Sequence, residues 1–224
     1  MQHLMNIMLI IFDLDGTLID TASDITHALN YSVQPYLRKN ITVEETIKLV
    51  GEGITRLIEK LLGQDRTALG PVVQERFLQY YTEHLYDYSR PYQGVLETLE
   101  ELHGFKKAVL SNKREVLSRR LLDALKLSSH FDMILGSDSV EEKKPSPRPV
   151  LQILEMLSLR PENAVMVGDS DYDIEAGRRA GVSTVAVSYG YRDVNVLKKA
   201  DVIIDDIRDL PQKISMLNAP IRET

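Results

Sequence analysis

A chain of 224 residues that is 43% hydrophobic is long enough to bury one sizeable core and carry a second, smaller lobe. Its formal net charge of -6 argues against a nucleic-acid backbone or an anionic membrane as partner, because like charges repel. With no cysteine there is no disulfide framework, thiolate metal site or cysteine nucleophile, so a reducing compartment is permitted and a cytoplasmic location is expected.

Met8 to Phe12 is a continuous apolar, branched run, the pattern of a strand covered on both faces in a parallel sheet. The apolar stretch from Ile7 to Phe12 is too short to span a bilayer. From Thr21 to Ser89 the signals are almost all helical. Ile25, Leu29 and Val33 recur at steps of four, Pro35 should kink or end that helix, and Thr42 with Glu45 reads as a capping box opening a helix to Val50. Gly51 and Gly53 interrupt the chain before an amphipathic stretch from Ile54 to Leu62. Gly63, Gly70 and Pro71 then punctuate the chain, and Val72 to Tyr88 reads as one long helix.

From Pro91 onward helices and strands alternate. Helices are expected at Val95 to Leu102, Val116 to Leu125, Val150 to Leu157 and Ile174 to Ala180, the last closed by Gly181. Strands are expected at Ala108 to Leu110, Phe131 to Leu135, Ala164 to Val167, Thr184 to Val187 and Val202 to Ile204. This is the pattern of a doubly wound α/β sheet, with a core from residues 1–16 and 90–224 and an all-helical lobe from residues 17–89 inserted after the first strand.

Such sheets bind ligands beyond the carboxyl ends of their strands, near the point where strand order reverses. Four polar clusters are expected there: Asp13 to Thr17, Ser111 to Lys113, Lys143 to Pro147, and Gly168 to Asp173. Asp13 and Asp15 stand two positions apart and can share one crevice, while Gly16 lets the backbone turn and approach a ligand. Asp13 and Asp169 offer hard oxygen ligands for Mg²⁺, and Lys144 offers a point charge for phosphate oxygens. Helix starts after Ser111-Asn112 and after the Lys-Pro segment add N–H donors for an anion. Taken alone, Asp-x-Asp-Gly is a common turn and a Lys-Lys pair is a solvated charge; it is the ordered set, placed after an apolar strand, that carries a functional reading. The histidines are scattered without ligand spacing, so no zinc site is expected.

Asp13-Leu-Asp15-Gly-Thr17, Ser111-Asn112, Lys144-Pro145 and Gly168-Asp169-Ser170-x-x-Asp173, in this order, resemble the four signatures of the haloacid dehalogenase superfamily, and the likeness spans nearly the whole chain. Pro91 to Leu99, Leu110 to Lys113 and Ser188 to Asp193 resemble the phosphoglycolate phosphatase group. The resemblance implies a Rossmann-like core under a helical cap, with Asp13 as the nucleophile that becomes phosphorylated and Asp15 as the general acid and base. It implies Mg²⁺ held by the Asp13 carboxylate, the Asp15 backbone carbonyl and Asp169, with Asp173, Gly16 and Thr17 in support. Ser111, Asn112 and Lys144 are then the phosphate-binding residues; only the match to Lys-Pro selects Lys144 over Lys143.

The inserted lobe becomes, by the same resemblance, a cap that closes over substrate and excludes water. Gly51, Glu52 and Arg56 are its candidates for reaching the site. The expected activity is Mg²⁺-dependent hydrolysis of a small phosphorylated metabolite, with 2-phosphoglycolate first, by a monomer or homodimer with no nucleic-acid or membrane partner. One alternative is a phosphomutase of β-phosphoglucomutase type, which shares the whole apparatus. A non-enzymatic phospho-aspartate signalling module is the other, and the large helical lobe counts against it.

Overall fold

The structure is a computed structural model that describes residues 6–218. His3 and the ends of the expected core, residues 1–5 and 219–224, lie outside the described residues.

The first strand, β1 (Leu9–Phe12), is buried along its whole length. Leu9 and Ile11 join one core cluster while Ile10 and Phe12 join another, so alternate side chains serve the two faces of the sheet. That double duty removes any polar alternation from the sequence, and each fully buried side chain contributes about 1.5–3 kcal/mol. The chain then runs through β2 (Ile19–Asp20), α1 (Ala22–Val33), α2 (Val43–Leu49), α3 (Ile54–Leu62), α4 (Gly70–Glu83) and β3 (Arg90–Pro91).

Beyond β3 the alternation continues as α5 (Val95–Glu101), β4 (Lys106–Leu110), α6 (Glu115–Ala124), β5 (Met133–Leu135), α7 (Arg148–Leu157) and β6 (Ala164–Gly168). It is completed by α8 (Asp171–Ala180), β7 (Ser183–Val187), α9 (Val194–Leu197), β8 (Val202–Ile204) and α10 (Leu210–Leu217). The six long-range strands form one parallel sheet in the order β5-β4-β1-β6-β7-β8. From β1 the chain builds outward through β4 and β5, then crosses back to lay β6, β7 and β8 on the other side. Strand order therefore reverses at β1, and the crevice for ligands opens at its carboxyl end.

Helices α1 to α4 form the cap, with α1 packed on α4 and α2, and α3 on α4. The capping box at α2 is present: Glu45 N–H donates to Thr42 Oγ1 at 3.2 Å and Thr42 N–H donates to Glu45 Oε2 at 3.1 Å. Helix α1 ends at Val33, ahead of Pro35. Helix α4 stops at Glu83 rather than reaching Tyr88, His84 leaving helical geometry, and the segment beyond it is held by α1 instead. The buried carboxylate of Asp24 accepts the N–H groups of Tyr88 at 3.1 Å and Ser89 at 2.8 Å, and the Ser89 hydroxyl at 2.6 Å. Those donors cannot also continue the helical ladder.

Strands β2 and β3 pair antiparallel where the chain leaves and re-enters the core. Two residues each, they are too short to show a period, as is the four-residue α9. Among the described residues, no helix is long and apolar enough to cross a membrane.

Candidate active site

Strands β1, β4 and β6 run level, with Phe12 in register with both Val109 and Val167. The residues just past their ends open one site: Asp13, Ser111 and Asp169. Asp13 N–H donates to Val167 O at 2.9 Å and Ser111 N–H to Leu135 O at 3.1 Å, so both leave the sheet on fixed backbone. Gly16 then turns the chain with φ of 88°, in the left-handed region. A Cβ at Gly16 would collide with the Asp169 carboxylate and the Tyr191 ring.

Lys144 anchors the charges. Its Nζ donates at 2.6 Å to Asp13 Oδ1, to Asp173 Oδ1 and to the Leu110 carbonyl, using its three N–H bonds. Asp173 is oriented in turn by the N–H of Ser170 at 3.1 Å and its hydroxyl at 2.6 Å. Tyr191 N–H donates to Asp169 Oδ2 at 2.6 Å, and the Thr17 hydroxyl lies 3.5 Å from Oδ1. The carboxylate oxygens of Asp13, Asp169 and Asp173 all lie within 4.8 Å of one another, and all three residues are buried.

Burial raises the Asp13 carboxyl to about 7, with Lys144 pulling it back and the charge of Asp173 adding to the rise. Burial likewise lifts Asp169 well above the carboxylate range, helped by the charges of Asp13 and Asp173. For Lys144, burial alone would lower the ammonium, but Asp13 and Asp173 outweigh it and hold the group above the usual lysine range. Three converging carboxylates against one ammonium leave a deficit of positive charge, and their hard oxygens fit a hydrated Mg²⁺ ion.

Asp15, expected to meet a metal through its backbone carbonyl, keeps its carboxylate out of that cluster. Lys113 donates to both of its oxygens, at 2.7 and 2.9 Å, and the Thr21 hydroxyl donates to Oδ1 at 2.7 Å. Only the main chain of Asp15 is left to meet an ion, while its carboxyl faces the cavity from the side. The side chain of Asn112 differs from the expectation. Its Nδ2 donates to Gly51 O at 2.8 Å and to Lys144 O at 3.0 Å, and its Oδ1 accepts from Lys144 N–H at 3.1 Å. That side chain braces the Lys144 loop and has no donor left for phosphate. Lys143 is exposed and Lys144 buried, which separates the adjacent pair.

The cap roofs a cavity of about 80 Å³ with Ile25, Val50, Leu57, Phe77 and Tyr81, over the carboxylates, Lys113 and Lys144. Gly51 lines it. Arg192, from the loop after β7, donates to Ile47 O at 2.8 Å and to Val50 O, so the core grips the end of α2. Glu52 and Arg56 do not line the cavity: Glu52 pairs with Lys60 on the cap surface, and the exposed Arg56 pairs with Glu59 at 2.7 Å. The phase of α3 explains Arg56, since the period that turns Leu57 and Ile58 inward turns it outward.

Sequence reasoning gives Tyr81 only a place in the packing of the long cap helix, and names no role for Lys113, Thr21, Tyr191 or Arg192. Lys113 stands in the cluster after β4, and Tyr191 and Arg192 stand in the Ser188 to Asp193 segment, which are the available signals; Thr21 carries no local one.

The model of the family described as haloacid dehalogenase-like hydrolase matches residues 10–187. A phosphoglycolate phosphatase of Aquifex aeolicus (strain VF5) is 45% identical over 188 residues, covering 83% of this chain and 87% of its own. A relative from Caldanaerobacter subterraneus subsp. tengcongensis, provisionally named pyrophosphatase PpaX, is 36% identical over 211 residues, 92% of this chain and 94% of its own. The crystal structure of a predicted phosphoglycolate phosphatase from Haemophilus somnus 129PT matches with a TM-score of 0.86 at 30% identity, over 92% of this chain and 97% of that one. With the parallel sheet, the helical cap and the carboxylate cluster at the end of β1, these matches show that the chain belongs to the haloacid dehalogenase-like hydrolases.

Proposed function

We propose that this enzyme is a Mg²⁺-dependent phosphatase of the cytoplasm that hydrolyses a small phosphomonoester, 2-phosphoglycolate first, through a phosphorylated Asp13. The observation that carries this is the convergence of Asp13, Lys144, Asp169 and the Lys113-held Asp15 on one roofed cavity. The division into a core of residues 1–16 and 90–224 and a cap of residues 17–89 belongs to the same reading, supported by the β2–β3 ribbon at both crossings.

In this reading an Asp13 carboxylate oxygen attacks phosphorus while the bond to the leaving oxygen breaks, and Asp15 gives that oxygen its proton. Asp15 next takes a proton from the water that cleaves the aspartyl-phosphate, freeing Asp13 and inorganic phosphate. Lys144, with Ser111, neutralises and orients the phosphoryl oxygens, and the cap excludes bulk water. Asp13, Asp169, the Asp15 carbonyl and, in support, Asp173 would hold Mg²⁺, which when bound supplies positive charge beside the transferring group.

A panel of phosphorylated metabolites with Mg²⁺ tests the assignment. Release of inorganic phosphate from 2-phosphoglycolate ahead of hexose phosphates is expected; an isomeric sugar phosphate in place of inorganic phosphate would make the protein a mutase. Asp15→Ala is expected to lose turnover on poor alkoxide leaving groups by a factor of about 10²–10⁴, and far less on an activated aryl phosphate that needs no proton. Equal losses on both would contradict its role.

Protons compete with the metal at this cluster. A carboxyl raised from 3.8 to about 7 in the fold keeps a proton that the unfolded chain releases, so Asp13 makes the metal-free protein less stable as pH rises across that window. Mg²⁺ binds the ionised form and reverses this. The gain in Tm on adding Mg²⁺ should therefore be small at pH 5 and grow towards pH 8. A gain independent of pH would show that the ion binds elsewhere.

A further inference from the structure

We propose that Tyr81 reads the leaving group: its phenolic hydroxyl, carried on α4, hydrogen-bonds an oxyanion borne by the alcohol half of the substrate, beside the ammonium of Lys113. This rests on the phosphatase reading and extends it by naming the residue that selects a leaving group with a carboxylate close to the ester oxygen.

Tyr81 is 2% exposed, it lines the cavity, and its hydroxyl makes no close hydrogen bond; the Lys113 ammonium beside it is already engaged with both oxygens of Asp15. Among the described residues the other such orphan is Thr98 Oγ1, on α5 away from the cavity. A buried hydroxyl without a partner costs folding free energy, and a phenylalanine would avoid that cost in the same space. The ring is not placed to swing out to water: Phe77 packs at 5.1 Å between centroids and Lys113 Nζ sits 5.0 Å over its face. The oxygen is thus held in the cavity, where a bound molecule can complete it.

The surroundings specify the molecule. Ile25, Val50, Leu57 and Phe77 offer an oxygen atom of the substrate nothing, so Tyr81 supplies the side-chain donor on the cap's side of the cavity. Burial pushes its phenol up to about 12, so the hydroxyl keeps its proton at working pH and acts as a donor. Lys113 lies next to it and makes an anionic acceptor preferable to a neutral one. Lys113 also bonds both oxygens of Asp15, which meets the ester oxygen. Because Lys113 touches both Asp15 and the Tyr81 ring, an anion that reaches Tyr81 and Lys113 while its ester oxygen reaches Asp15 has its charge only a few bonds from that oxygen.

Tyr81→Phe removes one oxygen atom and tests this with two esters of equal chain length, 2-phosphoglycolate and ethyl phosphate, assayed with Mg²⁺. The ratio of kcat/KM for the first to that for the second should fall about tenfold, the size of one lost hydrogen bond to an anion. In the ligand-free protein the same change should leave Tm unchanged or higher, because an unsatisfied group has gone. An unchanged ratio with both esters hydrolysed would overturn this proposal and leave the phosphatase reading intact, and so would a lower Tm. Hydrolysis of neither ester by the unaltered enzyme would overturn both.

Discussion

Asp13→Asn should give a folded protein whose turnover is lower by a factor on the order of 10⁴ or more, because an amide oxygen cannot form the phosphorylated intermediate. The variant separates chemistry from stability unusually well. Asp13 is one of three buried carboxylates within 4.8 Å of one another, and its charge is disfavoured enough to raise it to about 7. Replacing it with a neutral isostere relieves that repulsion, while Lys144 keeps Asp173 and the Leu110 carbonyl as partners. In EDTA at pH 8 its Tm should equal or exceed that of the unaltered protein. Intact-mass measurement after incubation with acetyl phosphate and Mg²⁺ should show a phosphorylated species for the parent chain and none for the variant. Retention of more than about a hundredth of the turnover would reject Asp13 as nucleophile.

Lys144→Met has the opposite profile, since it strips the cluster of the cation that all three of its hydrogen bonds depend on. Asp13 and Asp173 are then left buried against each other and Asp169. Removing one partner from a buried ion pair costs about 3–5 kcal/mol. For a chain of this size, that corresponds to a fall in Tm of roughly 6–20 °C in metal-free buffer. Mg²⁺ should recover part of the loss by supplying the missing charge. The Asp13→Asn/Lys144→Met double variant should be less destabilised than the sum of its parts, because the first change removes one of the charges the second exposes. A Tm within about 2 °C of the parent protein would mean that the network contributes little and that the carboxylates share their protons instead.

The sequence makes one half of this architecture plain and hides the other. Met8 to Phe12 announces a twice-covered strand because burial on both faces leaves nothing but apolar residues, and Thr42 with Glu45 announces α2 because a capping box is local. The end of α4 is not local. Beyond Glu83 the chain is held by Asp24, 64 residues from Tyr88, whose N–H it takes. The same division runs through the site. Asp13, Ser111 and Asp169 are legible because each sits in a short motif at a strand's end, and Lys144 because it precedes a proline in the loop before α7. Lys113 finds Asp15 across 98 residues and Tyr191 finds Thr21 across 170, and no period or spacing encodes such pairings. Glu52 and Arg56 were expected to point inward from their charge and nearness to a glycine turn, whereas the apolar face of α3 turns Arg56 to solvent.

The contacts by which the core holds the end of α2 and the turn after it share one property. At the end of α2, Arg192 takes the carbonyls of Ile47 and Val50, and Asn112 that of Gly51, so the grip on this segment is on main chain. Every amino acid carries that carbonyl. Substitutions at Ile47 and Val50 can therefore redraw the roof without loosening the clasp, whereas Gly51 and Gly53 are fixed, since a Cβ on either would press on Arg192 or on the Asn112 carbonyl.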